Sequence, residues 1–366
     1  MNIHIIGAGI AGLSTAAGLS NSKYKVYLWE KEKLPCMYAS SRNAAIARTY
    51  EPDPSLSLLV KKSILNMLKT EKAPSEFIKQ TGILIKPMEI DYFDDDFLKE
   101  FPEAKIFMPK EKTINLPNKI SFSGIFIPSN GILDIHNIQT YFIKKILKNN
   151  IEIFYEHELS KIETKNGFIQ FIEFQNNAKN KSIPVKKEDI IINAAGSWAA
   201  HIIHKNADTS VPIIAHKRHL FLLQPRKNKI PDIPVIWDET SDAYIRPELN
   251  EILASHCDET PVEPDDYTAD SNETEIFQEK ILSVFSFLEE YQIRRSWACL
   301  RTFALDSKPV IGFDPNIKNL FWAAGWGGRG MSLAFEIQNM VKEILQKGYN
   351  QDEDEFSNTF TAFRFS

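Results

Sequence analysis

Cysteine is scarce: Cys36, Cys257 and Cys299 are the only three in 366 residues. They are too few and too widely spaced for a disulfide framework or a thiolate zinc cluster, and they suit a reducing compartment. Charge of one sign is also lacking. The net charge is −5 with Lys and Arg dispersed, which argues against a nucleic-acid surface. The short basic runs Lys144-Lys145 and Lys186-Lys187 read as solvated faces. The apolar N-terminal run is broken by glycines and His4, is too short to span a bilayer, and has no basic region before it. A cytoplasmic protein is therefore expected, with membrane association at most peripheral. No internal repeat or low-complexity tract stands out. His201 and His204 lie three apart on a helix-like segment, but no carboxylate or thiol cluster accompanies them, so no metal is expected. What remains is 43% hydrophobic and 25% charged, ordinary for a globular chain long enough for two domains.

Against that background the first thirty residues are specific. Ile3-His4-Ile5-Ile6 runs directly into Gly7-Ala8-Gly9-Ile10-Ala11-Gly12 and then a small-residue segment from Leu13 to Leu19. This reads as strand, tight turn and helix. The first glycine permits the turn, the second lets a pyrophosphate approach the backbone, and the third lets helix pack closely on strand. The helix N-terminus offers N–H groups and a positive dipole end to phosphate. A second strand, Lys25-Val26-Tyr27-Leu28-Trp29, ends at Glu30, 18 residues beyond Gly12, where a ribose-binding carboxylate is expected. The pattern predicts a dinucleotide site.

Further nucleotide-type elements recur far along the chain. Pro54 to Lys79 and residues 136–149 have helical periodicity. Ile190-Ile191-Ile192 feeds Asn193-Ala194-Ala195-Gly196-Ser197-Trp198, another strand–turn–helix. Leu320-Phe321-Trp322-Ala323-Ala324 leads into Gly325-Trp326-Gly327-Gly328-Arg329-Gly330 and an apolar-periodic helix from Met331 to Leu345. Strand-like segments between them suit a separate substrate domain, and the acidic run Asp258–Glu275 reads as solvated surface. This split arrangement differs from the contiguous unit of a simple nicotinamide dehydrogenase.

These elements, in this order, resemble the FAD-dependent D-amino acid oxidase superfamily over nearly the whole chain. Lys217-Arg218-His219-Leu220-Phe221, Asp242-Ala243-Tyr244-Ile245-Arg246-Pro247, Trp297 through Asp306 and the glycine-rich turn at 325–330 carry a closer likeness to the D-arginine and D-amino acid dehydrogenases. The expected fold is α/β + β: a Rossmann-type FAD-binding domain (1–50, 131–210 and 300–350) interleaved with a substrate domain on a mixed β-sheet (51–130 and 211–299), then a C-terminal tail at 351–366. The resemblance implies FAD with Glu30 on the adenosine ribose, beside Lys31, and with Gly7, Gly9, Ile10, Ala11 and Gly12 at the phosphates. It places Arg42, Asn43, Ala44 and the following Ala45 along pyrophosphate and isoalloxazine, and the backbone of Leu159 at the adenine. Ala195, Gly196 and Trp198 approach the nucleotide. Gly327, Gly328, Arg329, Gly330 and Met331 face the flavin, the last two at its pyrimidine edge, where a helix N-terminus stabilises the negative charge of the reduced ring.

The implied reaction removes a hydride from the Cα of an amino acid, the CH–NH bond being oxidised. Arg301 is the natural carboxylate clamp, also near the cofactor, because a guanidinium meets a carboxylate bidentately. The resemblance makes Tyr244 its partner and puts Arg218 near the substrate. Arg48 and Arg329 depart from the dehydrogenase pattern. Pointing inward together they make a cationic pocket for an acidic or dicarboxylate substrate; pointing outward they are solvated charges. Cys299-Leu300-Arg301-Thr302 through Asp306 is similar to the stretch by which sarcosine-oxidase relatives hold flavin through a thioether, a buried free cysteine being the alternative. Other readings are a flavin-dependent 2-hydroxy acid dehydrogenase, a sarcosine- or glycine-oxidase-like oxidase of a secondary amine, and a non-catalytic flavoprotein subunit. The expected partner is a small amino acid, with oxygen or a quinone as electron acceptor.

Overall fold

A computed structural model describes residues 1–70, 74–88, 95–109, 116–117, 120, 122–149, 151–176, 179–204, 207, 209–226, 232–348 and 358–366. Two large sheets organise it. The first has six strands in the order Val310–Phe313, Leu320–Ala324, Ile190–Asn193, Asn2–Ile6, Lys25–Trp29 and Glu152–Phe154. All neighbours are parallel except Val310–Phe313, which runs antiparallel to Leu320–Ala324. Ile5 sits level with Ile192 on one side and Leu28 on the other. A strand covered on both faces reads as a continuous apolar run, which is why Ile190–Asn193 and Leu320–Ala324 are buried at every position.

Four helices cover one face: Ile10–Gly18, Pro54–Leu68, Ile135–Lys148 and Gly330–Lys347. Leu13, Leu59, Phe142 and Phe335 pack with Ile3 and Ile5 in a single core. Asp53 starts Pro54–Leu68 by accepting the Leu56 amide at 3.1 Å, with Pro54 in the first turn. Asp134 caps Ile135–Lys148 through the Asn137 amide at 2.8 Å. On the other face a small antiparallel sheet of Glu158–Lys165, Phe168–Gln175 and Lys181–Pro184 packs over Trp29, Ile191 and Trp322.

The second sheet is mixed and has nine strands. Its path runs Thr260–Pro261, Ile213–Pro225, Glu251–Ser255, Ala243–Glu248, Val235–Asp238, Ile83–Lys86, Gly124–Ile127 and Lys105–Phe107, and Tyr291–Ala304 also pairs with Ile213–Pro225. That last pairing is antiparallel and sets His216 opposite Arg301 and Arg218 opposite Cys299.

The domain limits differ from the expected ones in three places. Pro54–Leu68 packs on Gly330–Lys347 and so belongs with the nucleotide sheet rather than the substrate domain, because its apolar stripe is buried in the first core. Tyr291–Ala304 crosses position 300, so Arg301 stands on the substrate sheet. The C-terminal segment is anchored, with Phe360 and Ala362 fully buried and the Ile311 amide bonded to the Phe360 carbonyl at 2.8 Å. Residues 351–357 of the expected tail lie outside those described. No helix among the described residues is long and apolar enough to cross a membrane.

Candidate active site

A cavity of about 850 Å³ opens along the C-terminal ends of the nucleotide strands and continues against the second sheet. The glycine turn forms one end. A Cβ on Gly12 would lie 1.8 Å from the Gly7 carbonyl oxygen, so this position requires glycine for the helix to reach its strand. The Ala8 and Glu32 amides donate to the two carboxylate oxygens of Glu30 at 2.7 and 2.9 Å. Burial nevertheless raises the Glu30 carboxyl above its ordinary value, the two amides opposing it. The Ile10 amide donates to Ser40 Oγ at 2.9 Å, fastening the helix start to the following loop. Lys31 Nζ lies 3.6 Å over the Trp198 ring, and both line the cavity with Leu159, Ala195 and Gly196.

The middle of the wall is the turn Asn43-Ala44-Ala45. Asn43 accepts the Ala45 amide at 2.8 Å and donates to the Ser40 carbonyl at 2.9 Å, while Arg246 grips the Ala44 carbonyl. At the far end Gly330–Lys347 begins at the cavity, with Arg329 in the capping position and no side chain capping the helix. Its N-terminal dipole therefore faces the cavity, where a helix start of this kind favours negative charge.

Gly7, Gly9, Ile10, Ala11, Glu30, Lys31, Asn43, Ala44, Ala45, Leu159, Ala195, Gly196, Trp198, Gly327, Gly328, Arg329, Gly330 and Met331 all line this one cavity, as do Arg48, Arg218, Tyr244 and Arg301. Two expected cofactor residues do not. Gly12 packs beneath the turn against Gly7. Arg42 points aside, its guanidinium 5.1 Å over the Tyr267 ring and its carbonyl accepting from Trp297 Nε1 at 3.0 Å.

Arg301 reaches in from the second sheet with its side chain laid against Gly328. A Cβ there would come within 2.9 Å of Arg301 Cδ. Tyr244 is fully buried, its ring stacked 4.6 Å from Trp237, and its hydroxyl has no hydrogen-bond partner among the described residues. Burial pushes that phenol up to about 12, so it stays a donor at neutral pH. An orphaned buried hydroxyl costs free energy unless a ligand satisfies it.

Arg48 and Arg329 both point inward, yet the cavity is not cationic there. Arg48 Nη2 lies 2.6 Å from Glu51 Oε2, Arg48 Nη1 lies 3.4 Å from Glu239 Oε1, and Arg329 Nη2 lies 2.9 Å from Glu51 Oε2. Burial alone would raise the Glu51 carboxyl, but the Arg329 and Arg48 guanidinia outweigh it and hold it at about 2. Glu239 is raised by burial, with Arg48 opposing. The cationic pocket expected from an inward Arg48 and Arg329 is thereby corrected: two unanticipated carboxylates compensate them. The spacing of Arg48 and Glu51 is the readable signal for one; Glu239 is far away in sequence and has none.

Arg218 is buried and also paired, donating to the Asp258 carbonyl at 2.7 Å and to the Glu259 carboxylate. Of the four arginines lining the cavity, Arg301 alone lacks a carboxylate partner among the described residues. Cys299 is buried beside Ala44, Leu220 and Tyr244, and burial pushes its thiol up although Arg301 and Arg218 oppose this. The acidic run is not simply solvated surface. Thr260–Pro261 pairs with Ile213–Pro225, Asp258 binds His219, and Asp265 accepts from Trp198 Nε1 at 3.0 Å.

The family model for FAD dependent oxidoreductases (DAO) matches residues 2–343. Among curated relatives, the bifunctional MnmC protein of tRNA 5-methylaminomethyl-2-thiouridine biosynthesis from Campylobacter concisus is 25% identical over 381 residues, covering 93% of this chain and 55% of that one. FAD-dependent oxidoreductase domain-containing protein 1 of Bos taurus is 24% identical over 48% of this chain and 39% of its own length. The matched part of the chain thus spans about two fifths of that relative. Among solved structures, L-proline dehydrogenase from P. horikoshii superposes with a TM-score of 0.79 at 23% identity, covering 100% of this chain and 97% of that one. Iminodiacetate oxidase from Chelativorans sp. gives 0.75 at 18%, with 98% of each covered. The cavity fits an extended dinucleotide: a glycine cradle at one end, an uncapped helix start at the other, and an amide-bonded carboxylate at the ribose position. The chain belongs to the DAO family of FAD-dependent oxidoreductases, and FAD is its cofactor.

Proposed function

We propose that this protein oxidises the CH–NH bond of a small amino acid, in the manner of a D-amino acid dehydrogenase or oxidase. The observation that carries the reading is Arg301: a cavity-lining guanidinium with no carboxylate partner among the described residues, beside a buried tyrosine hydroxyl that also lacks one. A substrate carboxylate satisfies both groups at once, the guanidinium bidentately and the phenol through one donated hydrogen bond. FAD supplies the two-electron acceptor. The chain's own residues fix the carboxylate, and with it the direction in which the Cα–H bond points. Such positioning supplies up to about 7–11 kcal/mol of rate acceleration in well-oriented systems.

The names of relatives divide, glycerol 3-phosphate dehydrogenase of Caloramator mitchellensis being named for an alcohol and others for amino or imino acids. Sarcosine dehydrogenase of Homo sapiens, glycine oxidase of Bacillus cereus and the iminodiacetate oxidase above are all named for amino or imino acids. A side chain that is strongly acidic is disfavoured, because Glu51 and Glu239 already occupy Arg48 and Arg329. We assign the protein a small-molecule amino acid partner and an oxygen or quinone acceptor.

An anaerobic visible spectrum, taken before and after adding separate D- and L-amino acids, sarcosine and 2-hydroxy acids, tests this. Bleaching of the flavin band by an amino acid, and its loss in Arg301→Lys by about 100-fold in kcat/KM, is expected. Bleaching by 2-hydroxy acids alone, or an Arg301→Lys enzyme with undiminished kcat/KM, would sink the reading.

A further inference from the structure

We propose that the acidic segment 258–272 is a strap that retains FAD by closing the adenosine end of its site, with Asp265 and Tyr267 as its working contacts. The segment is tethered to the substrate sheet at several points. Thr260 and Pro261 pair with Lys217 and His216, Lys217 Nζ lies 2.7 Å from Asp266 Oδ1, and the Asp270 amide donates to His219 Nε2 at 2.9 Å. Between these tethers it reaches across to the nucleotide domain. Asp265 accepts from Trp198 Nε1 at 3.0 Å and lines the cofactor cavity. The Tyr267 ring meets the Tyr38 ring edge-on at 5.1 Å, and the Tyr38 ring in turn meets the Trp198 ring at 4.6 Å.

These contacts gather at one end of the cavity. Tyr38, Trp198 and Lys31 stand beside Glu30, and the glycine fingerprint assigns that end to the adenosine ribose. Lys31 lies over Trp198 and Arg42 over Tyr267, so two cations contact the aromatic cluster. In the proposed role, the contacts of Tyr38 with Tyr267 and of Trp198 with Asp265 part when a group leaves the Glu30 end. A run of acidic residues reads as solvated surface, so the spacing along the chain carries no hint of this role. The tethers on Lys217 and His219 hold the run so that Asp265 reaches the cavity.

The test follows flavin fluorescence as bound flavin dissociates from the diluted holoenzyme, in wild type, Asp265→Ala/Tyr267→Ala and Tyr267→Phe. FAD is expected to leave the double variant about tenfold faster, as affinity changes are mostly changes in dissociation rate. Tyr267→Phe keeps the ring and should stay near wild type. FMN, which lacks the adenosine, should leave wild type and double variant at the same rate. Unchanged FAD release, or FAD and FMN accelerated alike, would overturn the proposal. Limited proteolysis of wild type supplies an independent measure: cleavage within 258–272 should be slower with saturating FAD than with saturating FMN, and equal rates would overturn it.

Discussion

Tyr244 makes one hydrogen-bond donor available with nothing among the described residues to receive it. Removing that hydroxyl costs the fold no bond and relieves a buried orphan. Tyr244→Phe should therefore keep the melting temperature or raise it slightly, while KM for the carboxylate substrate rises by about 5- to 20-fold. A lower melting temperature with unchanged KM would mean that the hydroxyl serves the fold and not the substrate. Glu51 is the opposite case, a carboxylate fully engaged by two guanidinia and held at about 2. Because its folded value lies below its ordinary value near 4.5, its contribution is present above that value and is lost as pH falls through about 2. Linkage makes it worth on the order of 3 kcal/mol at neutral pH. The stability gap between wild type and Glu51→Gln, measured by denaturant unfolding, should be widest at neutral pH and narrow steadily below the ordinary carboxylate value. A gap independent of pH would show that the pairing is not what holds the carboxyl down.

At the scale of elements, the glycine-rich turn that follows Leu320–Ala324 does two jobs. It starts the helix whose uncapped N-terminus faces the cavity, and it leaves room for a side chain arriving from another sheet. Arg301 lies where a Cβ on Gly328 would be, and Gly328 itself has φ of +79°. Gly328→Ala is thus strained twice, by backbone conformation and by the guanidinium it displaces. We expect a loss of about 1–3 kcal/mol in stability and a larger loss in kcat/KM, with FAD still bound. Loss of FAD with intact kinetics in the reconstituted protein would place the effect on the cofactor instead. Pro54–Leu68 matters in a comparable way. Ser57 Oγ accepts the Glu51 amide at 2.7 Å and donates to its carbonyl at 2.8 Å, so the first turn of this helix positions the carboxylate between its arginines.

Across the whole molecule, the long cavity is lined by residues from the beginning, middle and end of the chain and from both large sheets. A cysteine stands in its wall. Cys299 is buried, and burial raises its thiol, which lowers the thiolate fraction available as a nucleophile. Acid precipitation should accordingly leave FAD in the supernatant and colourless protein in the pellet. Yellow protein that survives acid would demonstrate a covalent bond and reverse this expectation.

Several features are legible in the amino-acid sequence because they depend on local spacing. Gly7, Gly9 and Gly12 sit at the separations a strand–turn–helix needs, and Glu30 ends the next strand, so the nucleotide end follows from residues near one another in the chain. The second and third strand–turn–helix elements announce a split domain for the same reason. Which side chains meet across long separations is not legible. Nothing local ties Glu239 to Arg48 or Asp265 to Trp198, and the second carboxylate partner of Arg48 depends on the first of these pairs. The helix Pro54–Leu68 likewise shows an apolar stripe in sequence, but which core receives it is fixed only by packing against Gly330–Lys347. Periodicity and turn chemistry are short-range and specify the elements. Ion pairing and burial act through space, and they decide which cavity-lining arginine is left without a carboxylate partner among the described residues.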